Sequence, residues 1–119
     1  MSTRCLTSMH DEDGKEIAVL YRHSDGYPEG HGKELSQFLT GKRIQNGIGQ
    51  GDTSDNMFNG MHCLAAALVA HFKDDTGGYY LHAAGTRDIG EEYIYWVTGK
   101  PGDSQATVSV TDDKNEEVK

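Results

Sequence analysis

The stretch from Met57 to Phe72 constrains the fold more than any other. Met57, Met61, Leu64, Leu68 and Phe72 recur at the three- and four-residue spacing of one helical face, and Cys63 to Ala70 is an unbroken run of apolar or small side chains. Ser54 or Asp55 can cap such a helix, and Gly77-Gly78 lies beyond its end. Its other side, with Gly60, Cys63, Ala66, Ala67 and Ala70, is small enough for a second surface to come close to the backbone. A helix with two packable sides is expected to be central, so the rest of the chain must supply a layer for it to cover.

Strands supply that layer. Thr3 to Met9 and Glu16 to Arg22 alternate in character around the turn residues Asp11-Glu12-Asp13-Gly14, the pattern of a β-hairpin. Tyr79 to Ala83, Glu92 to Thr98 and Gln105 to Val110 read as three more strands; in the second, Tyr93, Tyr95 and Val97 face one way and Ile94 and Trp96 the other. A short helix with Leu35, Phe38 and Leu39 on one stripe ends at Gly41, and Lys42 to Asp55, with three glycines, reads as a long loop. The order β-β-α-α-β-β-β predicts one α+β domain over residues 1–110. A single antiparallel sheet would carry two helices on one face, and residues 111–119 would form an acidic, flexible tail.

Charge and cysteine content narrow the partners. Nineteen acidic against eleven basic residues give a net charge of −8, which argues against broad nucleic-acid binding and favours a basic partner or none that is charged. No apolar stretch is long enough for a signal peptide core or a membrane span, and two widely spaced cysteines form neither a disulfide scaffold nor a thiolate metal site. The expectation is a soluble protein of a reducing, cytoplasmic compartment, with no membrane partner.

Chemistry concentrates in two loops. Arg22-His23-Ser24-Asp25 and Glu29-Gly30-His31 gather imidazoles and carboxylates, in a spacing that matches no established metal site. Gly26, Gly30 and Gly32 just before a helix also suit an anion cradle, with Arg22 and Lys33 adding charge at its edges. The second loop, Thr86-Arg87-Asp88-Ile89-Gly90-Glu91-Glu92, sets a planar guanidinium among carboxylates, either to recognise a ligand or to lock the loop. Cys63 with a histidine is a poor nucleophile candidate because mid-helix thiols are normally inert packing, and nothing sets two carboxylates across a substrate. Tyr79, Tyr80, Tyr93, Tyr95 and Trp96 add aromatic surface that suits interfaces, so a homodimer or higher oligomer is a further expectation.

Two stretches carry a resemblance: Tyr21-Arg-His-Ser-Asp-Gly-Tyr-Pro-Glu-Gly-His-Gly32 and Gly85-Thr-Arg-Asp-Ile-Gly-Glu-Glu-Tyr-Ile-Tyr95, with Asn59-Gly60 and Leu64-Ala-Ala between them. Together they resemble a group of small bacteriophage and prophage proteins, over about residues 15 to 98. The resemblance implies a phage or prophage origin and brings no site with it; the expectation drawn from the two loops is an accessory protein acting by binding, through Arg22, His23, Asp25, Tyr27, His31, Thr86, Arg87, Asp88 and Glu91. Its target would be a host protein, such as a defence protein, or a small anionic or nucleotide ligand. Two alternatives stay open: a small-molecule enzyme using both loops, and a virion or assembly module. Neither cofactor nor metal is expected.

Overall fold

A computed structural model of the chain describes residues 3–46, 57–74, 76–112, 114 and 116–118. β1 (Cys5–His10) and β2 (Glu16–Arg22) form the expected antiparallel hairpin. The Asp11 carboxylate closes its turn by accepting the N–H groups of Asp13 and Lys15, both at 2.9 Å. A register slip between Met9 and His10 brings His10 opposite Glu16.

Three further strands complete a five-stranded sheet in the order β5-β2-β1-β6-β7. β5 (Tyr79–Ala83) pairs antiparallel with β2, and β7 (Thr107–Asp112) pairs antiparallel with β6 (Tyr93–Thr98). β6 lies parallel to β1, so the α+β class is as expected while the sheet is mixed and only mostly antiparallel. The physical reason lies in burial. Ile94 packs on one face of β6 and Tyr95 and Val97 on the other, which suits an interior strand with a neighbour on each side. The segment after β5 therefore crosses the sheet instead of turning back as a hairpin.

The helices share one face. α1 (Lys33–Leu39) buries Leu35, Phe38 and Leu39 and is followed by Gly41 at φ 76°. α2 (Gly60–Phe72) buries Met61, Leu64, Ala65, Leu68 and Phe72 against β1, β2 and β6 residues including Met9, Leu20, Tyr95 and Val97. Its small side is open: Cys63, Ala66 and Ala70 are exposed. Met57 is not on the helix. It belongs to β4 (Met57–Asn59), which pairs parallel with β3 (Arg43–Gln45), two short strands where a loop is expected. Ser54 and Asp55, the expected caps, lie outside the described residues; Glu12, from the hairpin turn, reaches across to accept the Met61 N–H at 2.7 Å.

On the opposite face Leu6, Val19 and Ile94 form a smaller cluster with Tyr21 and Trp96. The β5–β6 connection is pinned to this face, where Arg87 meets Glu16 and Trp96. The last strand runs two residues past Val110, and the chain then returns beside it, with Glu117 bridging Thr111 and the Val118 N–H bonding the Val110 carbonyl. Among the described residues no helix is long and apolar enough to cross a membrane.

Candidate functional site

The glycine-rich loop after β2 is folded against the strands. A Cβ on Gly26 would sit 2.8 Å from the Cys5 Cβ, one on Gly30 2.5 Å from the Asp25 carbonyl oxygen, and one on Gly32 3.1 Å from the Tyr95 ring. The N–H groups of Gly26, Gly30 and His31 are donated to the carbonyls of Thr3, Tyr27 and Asp25. The Tyr95 hydroxyl bonds the Gly26 carbonyl at 2.7 Å. A five-residue π-helical turn, Pro28–Gly32, then carries the His31 imidazole inward.

His31 is fully buried, with Phe72 and Tyr95 each 4.9 Å from its ring centre. Arg22 Nη1 lies 3.1 Å from Nδ1, and because a guanidinium only donates, Nδ1 accepts and the ring proton sits on Nε2, 2.7 Å from Thr7 Oγ1. Burial, and then the Arg22 charge, push the imidazole down to about 3, so it is neutral at physiological pH. Arg22 also donates to Glu34 at 2.5 Å and to the Ser24 carbonyl at 2.7 Å, with its guanidinium 5.3 Å from the Tyr79 ring. Beside this cluster a hollow of about 550 Å³ is floored by Phe38, Phe72 and Tyr79 and edged by Glu34, Lys42 and Asp74.

The second loop is held as tightly. Arg87 donates to Glu16 at 2.6 and 3.2 Å, and its guanidinium lies 5.0 Å from the Trp96 ring centre. Glu16 also accepts from the buried Ser8 hydroxyl and from the Gly85 N–H. Burial pushes this carboxyl up, but the hydrogen bonds from Arg87, Ser8 and Gly85 outweigh it and hold its pKa below the ordinary value. Thr86 Oγ1 bonds the Ala83 carbonyl, and the Glu91 carboxylate accepts the N–H groups of Asp88 and Ile89. A hollow of about 430 Å³ opens between Arg87, Asp88, Glu91, Trp96 and Asp112.

Arg22 and His31 are thus brought together on the helix side of the sheet, and Arg87, Asp88 and Glu91 on the other side, so no single small pocket gathers both groups. His23 follows the end of β2, exposed, its Nδ1 3.2 Å from the Tyr21 hydroxyl. Both loops are anchored beside the N-terminal end of β1. Gly26 bonds Thr3, and Glu92 bonds Arg4 through both its N–H and its carboxylate. A hollow of about 370 Å³ there is bounded by Tyr27, Glu92, Tyr93 and Asp112, and Asp112 also borders the hollow beside Trp96. Tyr27 is 39% exposed and Ile89 38% exposed, one large apolar group at each tip. Asp25 and Asp88 take φ values of 59°, a left-handed conformation that aspartate tolerates better than most residues.

Glu16, Glu34, Thr7 and Ser8, which organise both loops, have no local sequence signal; each reads as an ordinary polar position of a strand or helix. Cys5 is buried and its thiol is pushed up to about 12, whereas Cys63 is exposed. Among the described residues no three His, Cys, Asp or Glu side chains are grouped to hold a metal ion. The chain matches no protein-family model, no curated protein and no solved structure.

Proposed function

We propose that the protein acts by binding a basic macromolecular partner, through the surface where the Asp25–Glu29 loop and the Thr86–Glu92 connection are both anchored. The observation that carries this is their common anchorage on Thr3 and Arg4, which brings Tyr27 and Glu92 to one hollow, while Tyr27 and Ile89 each give their loop an exposed apolar group. The same two loops carry the carboxylates of Asp25, Glu29, Asp88, Glu91 and Glu92, with the exposed Arg4 between their anchor points and Lys114 beside the hollow next to Tyr27. Exposed apolar groups on loops in which carboxylates outnumber cations suit a partner with complementary pockets flanked by Lys and Arg, and the net charge of −8 favours fast encounter with such a partner. Internal hydrogen bonds already fix both loops, so little ordering cost is left for association. The resemblance to phage and prophage proteins supplies a setting, a host-directed accessory protein that blocks a host protein by occupying it.

An anionic ligand in the glycine loop has less support, because the N–H groups it needs are bonded to carbonyls of the chain. The test is affinity capture from host extract at about 0.1 M and about 0.5 M salt, with wild type and a Tyr27→Ala/Ile89→Ser double variant of unchanged melting temperature. A basic protein held by wild type at low salt, weakened at high salt and lost with the variant supports the reading. Equal retention by the variant sinks it.

A further inference from the structure

The two edges of the sheet are treated differently by the chain. The outer edge of β7 is covered by the chain's own return, through Glu117 and Val118. The outer edge of β5 has no such cover among the described residues. The His23 N–H bonds the Gly78 carbonyl, so Arg22 and Tyr79 form a wide pair of the antiparallel ladder; by alternation Tyr79, Leu81 and Ala83 turn their main-chain groups away from β2. Lys73 Nζ already bonds the Tyr79 carbonyl, and the Thr86 N–H bonds that of Ala83. With those two carbonyls taken, Leu81 is the residue that offers both its N–H and its C=O, beside the outward N–H groups of Tyr79 and Ala83.

The side chains there are equally unusual. Leu81 is 60% exposed and Tyr80 51%, the two highest values among the exposed large apolar residues. From Gly77 to Gly85 no residue carries a formal charge, although 30 of the 119 residues (11 Lys and Arg plus 19 Asp and Glu) do. Sheet edges are ordinarily guarded by charge, proline or a bulge within the strand, and this strand has none of them.

We infer that β5 pairs antiparallel with β5 of a second copy, about a two-fold axis through Leu81, joining the two sheets into one. The sequence fits its own reverse: Leu81 meets Leu81, with two reciprocal main-chain hydrogen bonds, Tyr80 meets His82 twice, and Tyr79 meets Ala83. Gly77 and Gly78 meet Gly85 and Ala84, so the flanks present no bulk. Charge selects this occupant. Two copies at −8 each repel least along a strip without carboxylates, and β5 is such a strip, with Lys73 as the charge at its end, whereas a basic partner is drawn to the acidic loops. The inference is independent of the loop-surface reading, since β5 and the Asp112 side of the loop surface lie at opposite edges of the sheet.

Sedimentation of the full chain from about 5 µM to about 500 µM tests it. Wild type is expected to shift with concentration toward twice the 13.1 kDa chain mass. Leu81→Lys, which opposes two ammonium groups on the axis, is expected to sediment as a monomer throughout. In a Cys63→Ser background, Leu81→Cys is expected to give a covalent dimer on mild oxidation, and Cys63→Ser alone is not. A wild type that stays monomeric, a dimer that survives Leu81→Lys, or a Leu81→Cys protein that does not cross-link overturns the inference. The cross-linking arm decides the matter if the lysine variant fails to fold.

Discussion

Replacing His31 by phenylalanine keeps an aromatic ring between Phe72 and Tyr95 but removes the acceptor for Arg22 and the donor to Thr7. Each lost partner of a buried polar group costs on the order of 1–3 kcal/mol, so the variant is expected to be about 3 kcal/mol less stable at pH 7. The pH dependence makes the prediction sharper. His31 titrates near 6.5 when unfolded and at about 3 when folded. Between those values the unfolded chain binds the extra proton, so the contribution of the neutral imidazole is complete above 6.5, falls as the pH drops through that window, and is gone below 3. From pH 7 to pH 5 the loss amounts to about 2 kcal/mol, a little under one and a half pH units at 1.36 kcal/mol each. Urea unfolding of both proteins at the two pH values measures it. Every other titrating group is common to both and cancels, so the gap between wild type and His31→Phe should narrow from about 3 to about 1 kcal/mol. Two proteins that lose stability in parallel would refute a buried, neutral His31.

Three further outcomes are expected. Glu16→Gln removes the charge that holds Arg87 and should cost about 2–3 kcal/mol at pH 7. Because the Glu16 pKa is depressed on folding, its contribution is present above the unfolded value near 4.5 and is lost as pH falls through the folded one, so the two urea curves should converge in acid. Gly26→Ala drives a methyl group to 2.8 Å from the Cys5 side chain and 3.0 Å from the Arg4 backbone, and should lower stability by about 1–3 kcal/mol in thermal unfolding. A thiol reagent should titrate one cysteine, Cys63, in the native protein, and Cys5 only after denaturant is added, since burial removes Cys5 from reach and raises its pKa to about 12.

The elements were legible where pattern and burial coincide. The Met61, Leu64, Leu68 and Phe72 stripe faces the core, and Ile94 and Trp96 lie opposite Tyr95 and Val97 as alternation requires. Strand neighbours were not legible. Short connections favour hairpins, and nothing local shows that the segment after Ala83 crosses two strands to set β6 beside β1. His31 illustrates the same limit in the candidate site. Glycines on both sides read as an open loop, whereas they are the positions at which the chain presses on Asp25 and Tyr95 and swings the imidazole inward. Arg87 was visible as a planar cation among carboxylates, but its partner is Glu16, 71 residues earlier, and not Asp88 or Glu91 beside it.

The parallel pairing of β1 with β6 bears on how the chain matures during synthesis. Arg4 and Glu92, which close that pairing at one end, are 88 residues apart. The N-terminal strand therefore leaves the ribosome long before its second neighbour exists, and only the hairpin with β2, later joined by β5, can assemble first. Until Thr98 has emerged, one side of β1 is a bare ladder edge, and closing so long a loop makes the step slow. A nascent chain arrested before β6 would present that edge to chaperones or proteases, so the strand at the centre of the finished sheet is its exposed border until β6 arrives.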